Sequence, residues 1–311
     1  MHVRARLRIA ASAAMLALAA CQSAPRAPAF DPVTMDAPRG DPPAETLDLQ
    51  FFSEGAHLNA FVHLASGPGP HPTAVLLHGF PGNERNLDLA QAMRRAGWNA
   101  VYFTYRGAWG SGGEFSFANA LEDVAAVVAA VRDPAFAAKH RVDPSRVVLV
   151  GHSMGGAAAL LSAARLAEVR CVASLAGANL GTFGALVNAD AETRRELAAT
   201  FQTWGEGRVA SFSAEAMVSD LVANRDTYAA ANHAAALAKK PVLLVAGASD
   251  AVTPPATHHT PLAAAIRAQG GGLLRDAILG GDHSFSDTRV ALARALLDWL
   301  HGDCLPRLAQ D

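Results

Sequence analysis

Ten residues constrain this chain more than any others: Val147-Val148-Leu149-Val150-Gly151-His152-Ser153-Met154-Gly155-Gly156. The β-branched, continuous apolar run Val147–Val150 reads as a strand buried on both faces, as in a parallel sheet. From Met154 to Leu166 the spacing predicts a helix of small residues. Between the two sits G-x-S-x-G. A chain leaving a buried strand and entering a helix through this motif must reverse sharply, leaving Ser153 Oγ exposed above the sheet. Side chains at Gly151 and Gly155 would collide across that turn. The helix N-terminus behind Ser153 offers free N–H groups and positive potential to a developing oxyanion. Ser153 is therefore the candidate nucleophile, set against the plainer reading of a glycine-rich structural turn.

The flanking sequence supplies the sheet such a turn needs. Leu47–Ser53 and Leu58–Ala65 read as opening strands joined at Glu54-Gly55; Ala74–Leu77 and Ala100–Thr104 follow as short apolar strands. Cys171–Leu175, Val242–Ala246 and Leu273–Leu279 complete the set. Helical spacing falls at Asn86–Ala96, at Asn119–Val131 (capped at Asn119-x-x-Glu122 and ended by Pro134) and at Val290–Leu300. The alternation predicts an α/β fold, a mostly parallel sheet with helices on both faces. Between residues 178 and 240 lie 63 residues, too long for an ordinary connection. Helical patches near Thr193–Thr203 and Ser213–Ala238 mark this stretch as a cap over the carboxyl ends of the strands. Its bulky residues are Phe183, Phe201, Trp204, Phe212, Met217 and Tyr228, mostly expected as the cap's own core.

From Leu47 to Leu300 the order, spacing and motifs resemble the α/β-hydrolase family. The resemblance implies an α/β-hydrolase fold and a Ser–acid–His triad in that chain order, at the ends of successive strands. His283, in Gly280-Gly281-Asp282-His283-Ser284-Phe285, is the only histidine between the last strand and the last helix. Imidazole suits removal of a proton from a serine hydroxyl, so His283 is the candidate general base and then acid. Asp250, just past Val242–Ala246, matches the acid's usual position; it would accept Nδ1–H of His283 and fix its tautomer. Asp282 adjoins His283 and is badly placed to face that nitrogen. After the third strand comes His78-Gly79-Phe80-Pro81-Gly82. In relatives with this turn the residue after the glycine gives one N–H to the oxyanion, which maps to Phe80; Pro81 has none to give. The second donor is the Met154 N–H. His78 is expected to brace the loop. Tyr105-Arg106-Gly107-Ala108-Trp109-Gly110 resembles the Tyr-Arg-Gly-x-x-Gly loop of hydrolases related to the prolyl oligopeptidase catalytic domain, where it is largely structural; Trp109 is open to packing or substrate contact.

Other chemistries find less support. The histidines at 57, 63, 258 and 259 lack zinc-site spacing, and Gly110–Gly113 and Gly270–Gly272 do not open a helix after the first strand, so neither a metal nor a dinucleotide cofactor is expected. The net charge of −2 provides no basic excess for nucleic acid. At 51% hydrophobic and 17% charged, the chain is not a disordered one.

Residues 1–20 read as a secretory signal peptide. Arg4, Arg6 and Arg8 precede the apolar run Ile9–Ala20, whose 12 residues are too few to span a bilayer. Leu18-Ala19-Ala20-Cys21 resembles the lipobox of bacterial lipoproteins, in which Cys21 is lipidated and becomes the first mature residue. Gln22 after it accompanies outer-membrane sorting in that family. Six prolines between residues 22 and 44 predict an extended tether, with the hydrolase domain at 45–306. With Cys21 lipidated, Cys171 and Cys304 remain, both expected at the sheet end away from the site, and a disulfide between them suits an exported protein. The primary expectation is a lipid-anchored serine hydrolase acting on a small-molecule ester. An amide or peptide substrate and acyl transfer use the same residues. A tethered, non-catalytic binding protein is the reading from another class.

Overall fold

The computed structural model describes residues 29–309, and the strands and helices among them run from Glu45 to Leu308. Cys21 and the expected signal peptide lie outside the described residues. Two opening strands, β1 (Glu45–Ser53) and β2 (Ala56–Leu64), form an antiparallel hairpin. The remaining strands are β3 (His71–Leu77), β4 (Asn99–Phe103), β5 (Val142–His152), β6 (Val172–Leu175), β7 (Val242–Gly247) and β8 (Leu274–Leu279). They form one eight-stranded sheet in the order β1-β2-β4-β3-β5-β6-β7-β8. Pairing is antiparallel as far as β4 and parallel from β4 to β8. The chain thus steps outward in both directions from the middle of the sheet, and residues just past β3, β5, β7 and β8 emerge along one edge.

Period two decides which face each strand residue serves. Val75, Leu77, Val147 and Leu149 join the apolar cluster that holds the buried residues of helices α2 (Phe117–Arg132) and α4 (Met154–Arg165). Ala74, Leu76, Val148 and Val150 face the other cluster, with residues of α1 (Leu87–Arg95) and of the C-terminal helix Arg289–Trp299. Both faces of the central strands are sealed, as their uninterrupted apolar runs require. The cluster under the C-terminal helix also contains Cys171 and Cys304, which form a disulfide with Cα atoms 5.9 Å apart.

Two local expectations are corrected. Helix α2 starts earlier than Asn119: Ser116 is its N-cap and accepts from the Asn119 N–H at 3.0 Å. Glu122, expected in a capping box, pairs instead with Arg106. As expected, α2 ends ahead of Pro134, which opens α3 (Pro134–Lys139) with Asp133 as its cap. Residues 32–44, expected in the tether, lie along the domain: Arg95 donates to the carbonyls of Pro32 and Val33, Gly67 N–H donates to the Pro42 carbonyl, and Val33 packs on the apolar cluster.

Between β6 and β7 come α5 (Leu180–Ala189), α6 (Ala191–Gly205), α7 (Ala214–Ala223), α8 (Arg225–Tyr228) and α9 (Ala234–Leu237). The expected patch Ser213–Ala238 is broken because Asn224 ends α7 and Ala229 is extended. Phe201, Met217 and Tyr228 are buried, whereas Trp204 is 36% exposed. The cap is tied to the loop after β4 by main-chain bonds: Trp109 N–H to Arg208 O, Ala210 N–H to Gly107 O and Phe115 N–H to Ser211 O, at 2.7–2.9 Å. Among the described residues no helix is long and apolar enough to cross a membrane.

Candidate active site

Ser153 sits between β5 and α4 with φ 57° and ψ −123°, a conformation sparsely populated by side-chain-bearing residues. Its neighbours enforce it. A Cβ on Gly151 would lie 2.0 Å from the Gly155 carbonyl oxygen, and one on Gly155 would lie 2.2 Å from that of Leu77. Ser153 N–H donates to Leu175 O and its carbonyl accepts from Ala178 N–H, so the turn is bolted to β6 and to the chain leaving it. Met154 opens α4, where a first-turn N–H has no partner within its own helix.

His283 follows β8 in a loop shaped by Asp282, whose carboxylate accepts from the N–H groups of Ser284 and Ser286. Asp282 is thereby committed locally. Nδ1 of His283 lies 2.8 Å from Asp250 Oδ2, and the Asp250 side chain is fully buried. The other oxygen of Asp250 accepts two main-chain N–H groups, from Val252 and Thr253, each at 2.8 Å. Burial pushes the Asp250 carboxyl up, but His283 and the amide and hydroxyl of Thr253 outweigh it and bring the carboxyl down to about 2. An ionised carboxylate fixed in this way makes Nδ1 the protonated nitrogen of a neutral His283 and leaves Nε2 free to accept.

Three further residues had no clear signal in the sequence. Thr253 Oγ lies 2.7 Å from Asp250 Oδ2 and 3.0 Å from Ala176 O, joining the acid to the end of β6. Only its i+3 spacing from an aspartate hinted at this. His152 is buried, packs at a tilt against His283 with ring centroids 4.9 Å apart, and donates from Nε2 to the His283 carbonyl at 2.8 Å. Burial first, and the neighbouring His283 second, pull its pKa down to about 4, so it stays neutral beside its partner. His258 accepts from the Asn179 N–H at Nδ1, joining the cap's first turn to the segment after β7.

Ser153 and His283 share the walls of one open cleft of about 180 Å³ with Gly79, Phe80, Trp204 and Val252. Gly79 is in contact with the serine: a Cβ there would lie 2.8 Å from Ser153 Cβ. The Phe80 ring packs among Phe115, Phe201 and Phe212, with centroids 5.2–5.9 Å apart, and so joins the loop after β3 to the cap. His78 Nδ1 bonds the Gly79 carbonyl at 2.6 Å, and burial lowers its pKa to about 4. Trp109 does not line the cleft: its indole N–H donates to Pro81 O at 2.7 Å and Arg85 stacks over its ring at 4.4 Å. Arg106 in the same loop is anchored to the buried Asp123 at 2.6 Å. His57 and His63 are engaged with Gly110 O and Thr46 Oγ.

A serine with strained backbone at a helix N-terminus and a histidine held by a buried carboxylate, on the walls of one cleft, can attack a carbonyl carbon and return the proton to its leaving group. A sequence model of the alpha/beta hydrolase family matches residues 74–295. The quorum-quenching protein AidA of Acinetobacter baumannii is 32% identical over 136 residues, 41% of this chain and 43% of that protein. The chain thus matches less than half the length of this curated relative. Est1E from Butyrivibrio proteoclasticus superposes with a TM-score of 0.60 at 18% identity, over 85% of this chain and 99% of that one. The acylaminoacyl peptidase of Pyrococcus horikoshii gives a TM-score of 0.59 at 16% identity, over 84% of this chain and 42% of that one.

Proposed function

The chain belongs to the alpha/beta hydrolase family, and from that premise we propose that it is a serine hydrolase cleaving carboxylic esters through an acyl-enzyme on Ser153. The observation that carries the reading is the 2.8 Å bond between Asp250 and His283 at a cleft whose wall also holds Ser153. Ser153 Oγ attacks the ester carbonyl while Nε2 of His283 takes its proton. The carbonyl oxygen becomes an oxyanion received by the N–H groups of Phe80 and Met154, each such donor being worth about 10²–10³ in rate. Asp250 stabilises the imidazolium. The tetrahedral species collapses, His283 gives its proton to the departing alkoxide, and the acyl group remains on Ser153. Water then attacks with His283 again as base, and the acid leaves.

A fluorophosphonate probe applied to the purified domain tests this directly. Wild type labels and Ser153→Ala does not, and short-chain esters are hydrolysed by the former only. Absence of labelling in folded wild-type protein would favour a binding protein that keeps the fold without the chemistry. A panel of esters and aminoacyl amides separates esterase from peptidase activity. We further propose that the enzyme is exported and anchored through Cys21; metabolic palmitate labelling of wild type but not Cys21→Ser is the expected result.

A further inference from the structure

Twelve residues line the cleft around Ser153; none is a lysine or arginine, and Glu84 is the one acidic side chain among them. Its backbone lies on the loop that leaves β3, and its Oε1 accepts the Asn86 N–H at 2.7 Å, which fixes the carboxylate in place. Among the described residues Arg289 is the cation that comes within 4.0 Å of it, and that guanidinium is already bound to both oxygens of Asp88. Glu84, Asp88 and Arg289 together carry one negative charge; Arg85, next in the chain, lies over the Trp109 ring, 4.4 Å from its centroid, and is not on the lining. Arg208 stands behind the neighbouring Asn83, donating to its side chain and to the carbonyls of Trp204 and Glu206. Its charge opposes that of Glu84 but is not on the lining. The same cleft contains two aromatic side chains, Phe80 and the part-exposed Trp204.

Glu84 and Trp204 both line this small open cleft, and a carboxylate and an indole are two groups that recognise an ammonium: one by charge, the other by the negative face of its ring. We infer that the substrate of this cleft carries a positive charge close to its scissile carbonyl, and that Glu84 selects for it. The inference rests on the acyl-enzyme reading and adds a substrate class to it. An anionic ester is disfavoured by the same group.

Two isosteric pairs of esters test it, one with the charge on the alcohol side and one on the acyl side. These are acetylcholine against 3,3-dimethylbutyl acetate, and the p-nitrophenyl esters of β-alanine against butyrate. In each pair size is nearly constant, and each kcat/KM ratio is divided by the ratio of the uncatalysed hydroxide rates, because an ammonium also activates the ester. The expected kcat/KM ratio, cation over neutral, is roughly tenfold for at least one pair at low salt, falling as salt is raised. In Glu84→Gln, whose amide oxygen still accepts the Asn86 N–H, the ratio falls to near one. In Glu84→Lys it falls below one. Trp204→Leu reduces it by about threefold. Fluorophosphonate labelling of each variant certifies the serine and its base independently of the ratio. A ratio at or below one for both pairs in labelled wild type, a ratio unmoved by Glu84→Gln, or labelled enzyme that turns over none of the four esters would overturn the inference while leaving the acyl-enzyme reading intact. Absence of labelling would strike the reading itself.

Discussion

Replacing Asp250 by Asn changes one atom and should nearly abolish catalysis, for a reason set by the hydrogen bonds around it. Oδ1 of Asp250 accepts two main-chain N–H groups. An amide placed there must keep its oxygen toward those donors, because turning it would set NH₂ against N–H twice. Its NH₂ then takes the place of Oδ2, facing His283 Nδ1 and Thr253 Oγ. The Thr253 hydroxyl can accept that N–H and still donate to Ala176 O, so every group is satisfied and the fold is retained. His283 alone is in difficulty. To accept from the amide its Nδ1 must be unprotonated, which puts the proton on Nε2, the nitrogen that should take one from Ser153. A triad in the wrong tautomer loses about 10⁴ in kcat, or about 5.5 kcal/mol of barrier. The assay is hydrolysis of a short p-nitrophenyl ester together with the rate of fluorophosphonate labelling. A melting temperature close to wild type with both rates reduced by three to four orders of magnitude is the expected outcome. Labelling of Asp250→Asn within tenfold of wild type would refute the argument, since Nε2 would then be accepting protons without Asp250 to orient the ring.

The same carboxylate links stability to acidity. Its folded pKa of about 2 lies below the ordinary 3.8, so it stabilises the fold above pH 3.8, and that contribution of about 2 kcal/mol is lost as pH falls toward 2. Urea unfolding at pH 5 and pH 2.5 should show this loss in wild type and not in Asp250→Asn. Reducing the Cys171–Cys304 bond opens a loop with a sequence separation of 133, worth up to about 5 kcal/mol in the chain-entropy account; the Cys171→Ala/Cys304→Ala variant should lose 2–5 kcal/mol by urea titration, and an unchanged midpoint would argue against that account. Gly79→Ala should push the Ser153 side chain aside and lower kcat by roughly 10–100-fold; circular dichroism matching wild type would show that the loss is local.

What the sequence made legible was what topology carries. Ser153, Asp250 and His283 each follow a strand of a parallel sheet, and a parallel sheet brings its carboxyl ends to one edge whatever the loops do. Cys171 and Cys304 were approachable by the same route, from the opposite edge. Thr253 and His152 are a different case. Each acts through a bond to a residue distant in the chain, Ala176 and His283, and nothing in local periodicity records such a bond. Ser116 was passed over because Asn119 and Glu122 offered a second capping pattern one turn later. Glu122 was instead claimed by Arg106, which already leaned on the buried Asp123 and drew the second carboxylate to it. The prolines at 32, 38, 42 and 43 suggested an extended chain, but composition does not tell a free extended chain from one lying against a surface. Trp204 and Glu84 became visible as site residues only when two separate connections, after β3 and between β6 and β7, met over the same cleft.

The three amide bonds that sew residues 208–211 to the loop after β4 give this cap the character of a fixed roof rather than a door. Anyone wishing to re-aim the enzyme by exchanging its cap has to move Gly107–Phe115 along with it, because a transplanted roof without those stitches would leave Phe80 unsupported and the floor beneath it open.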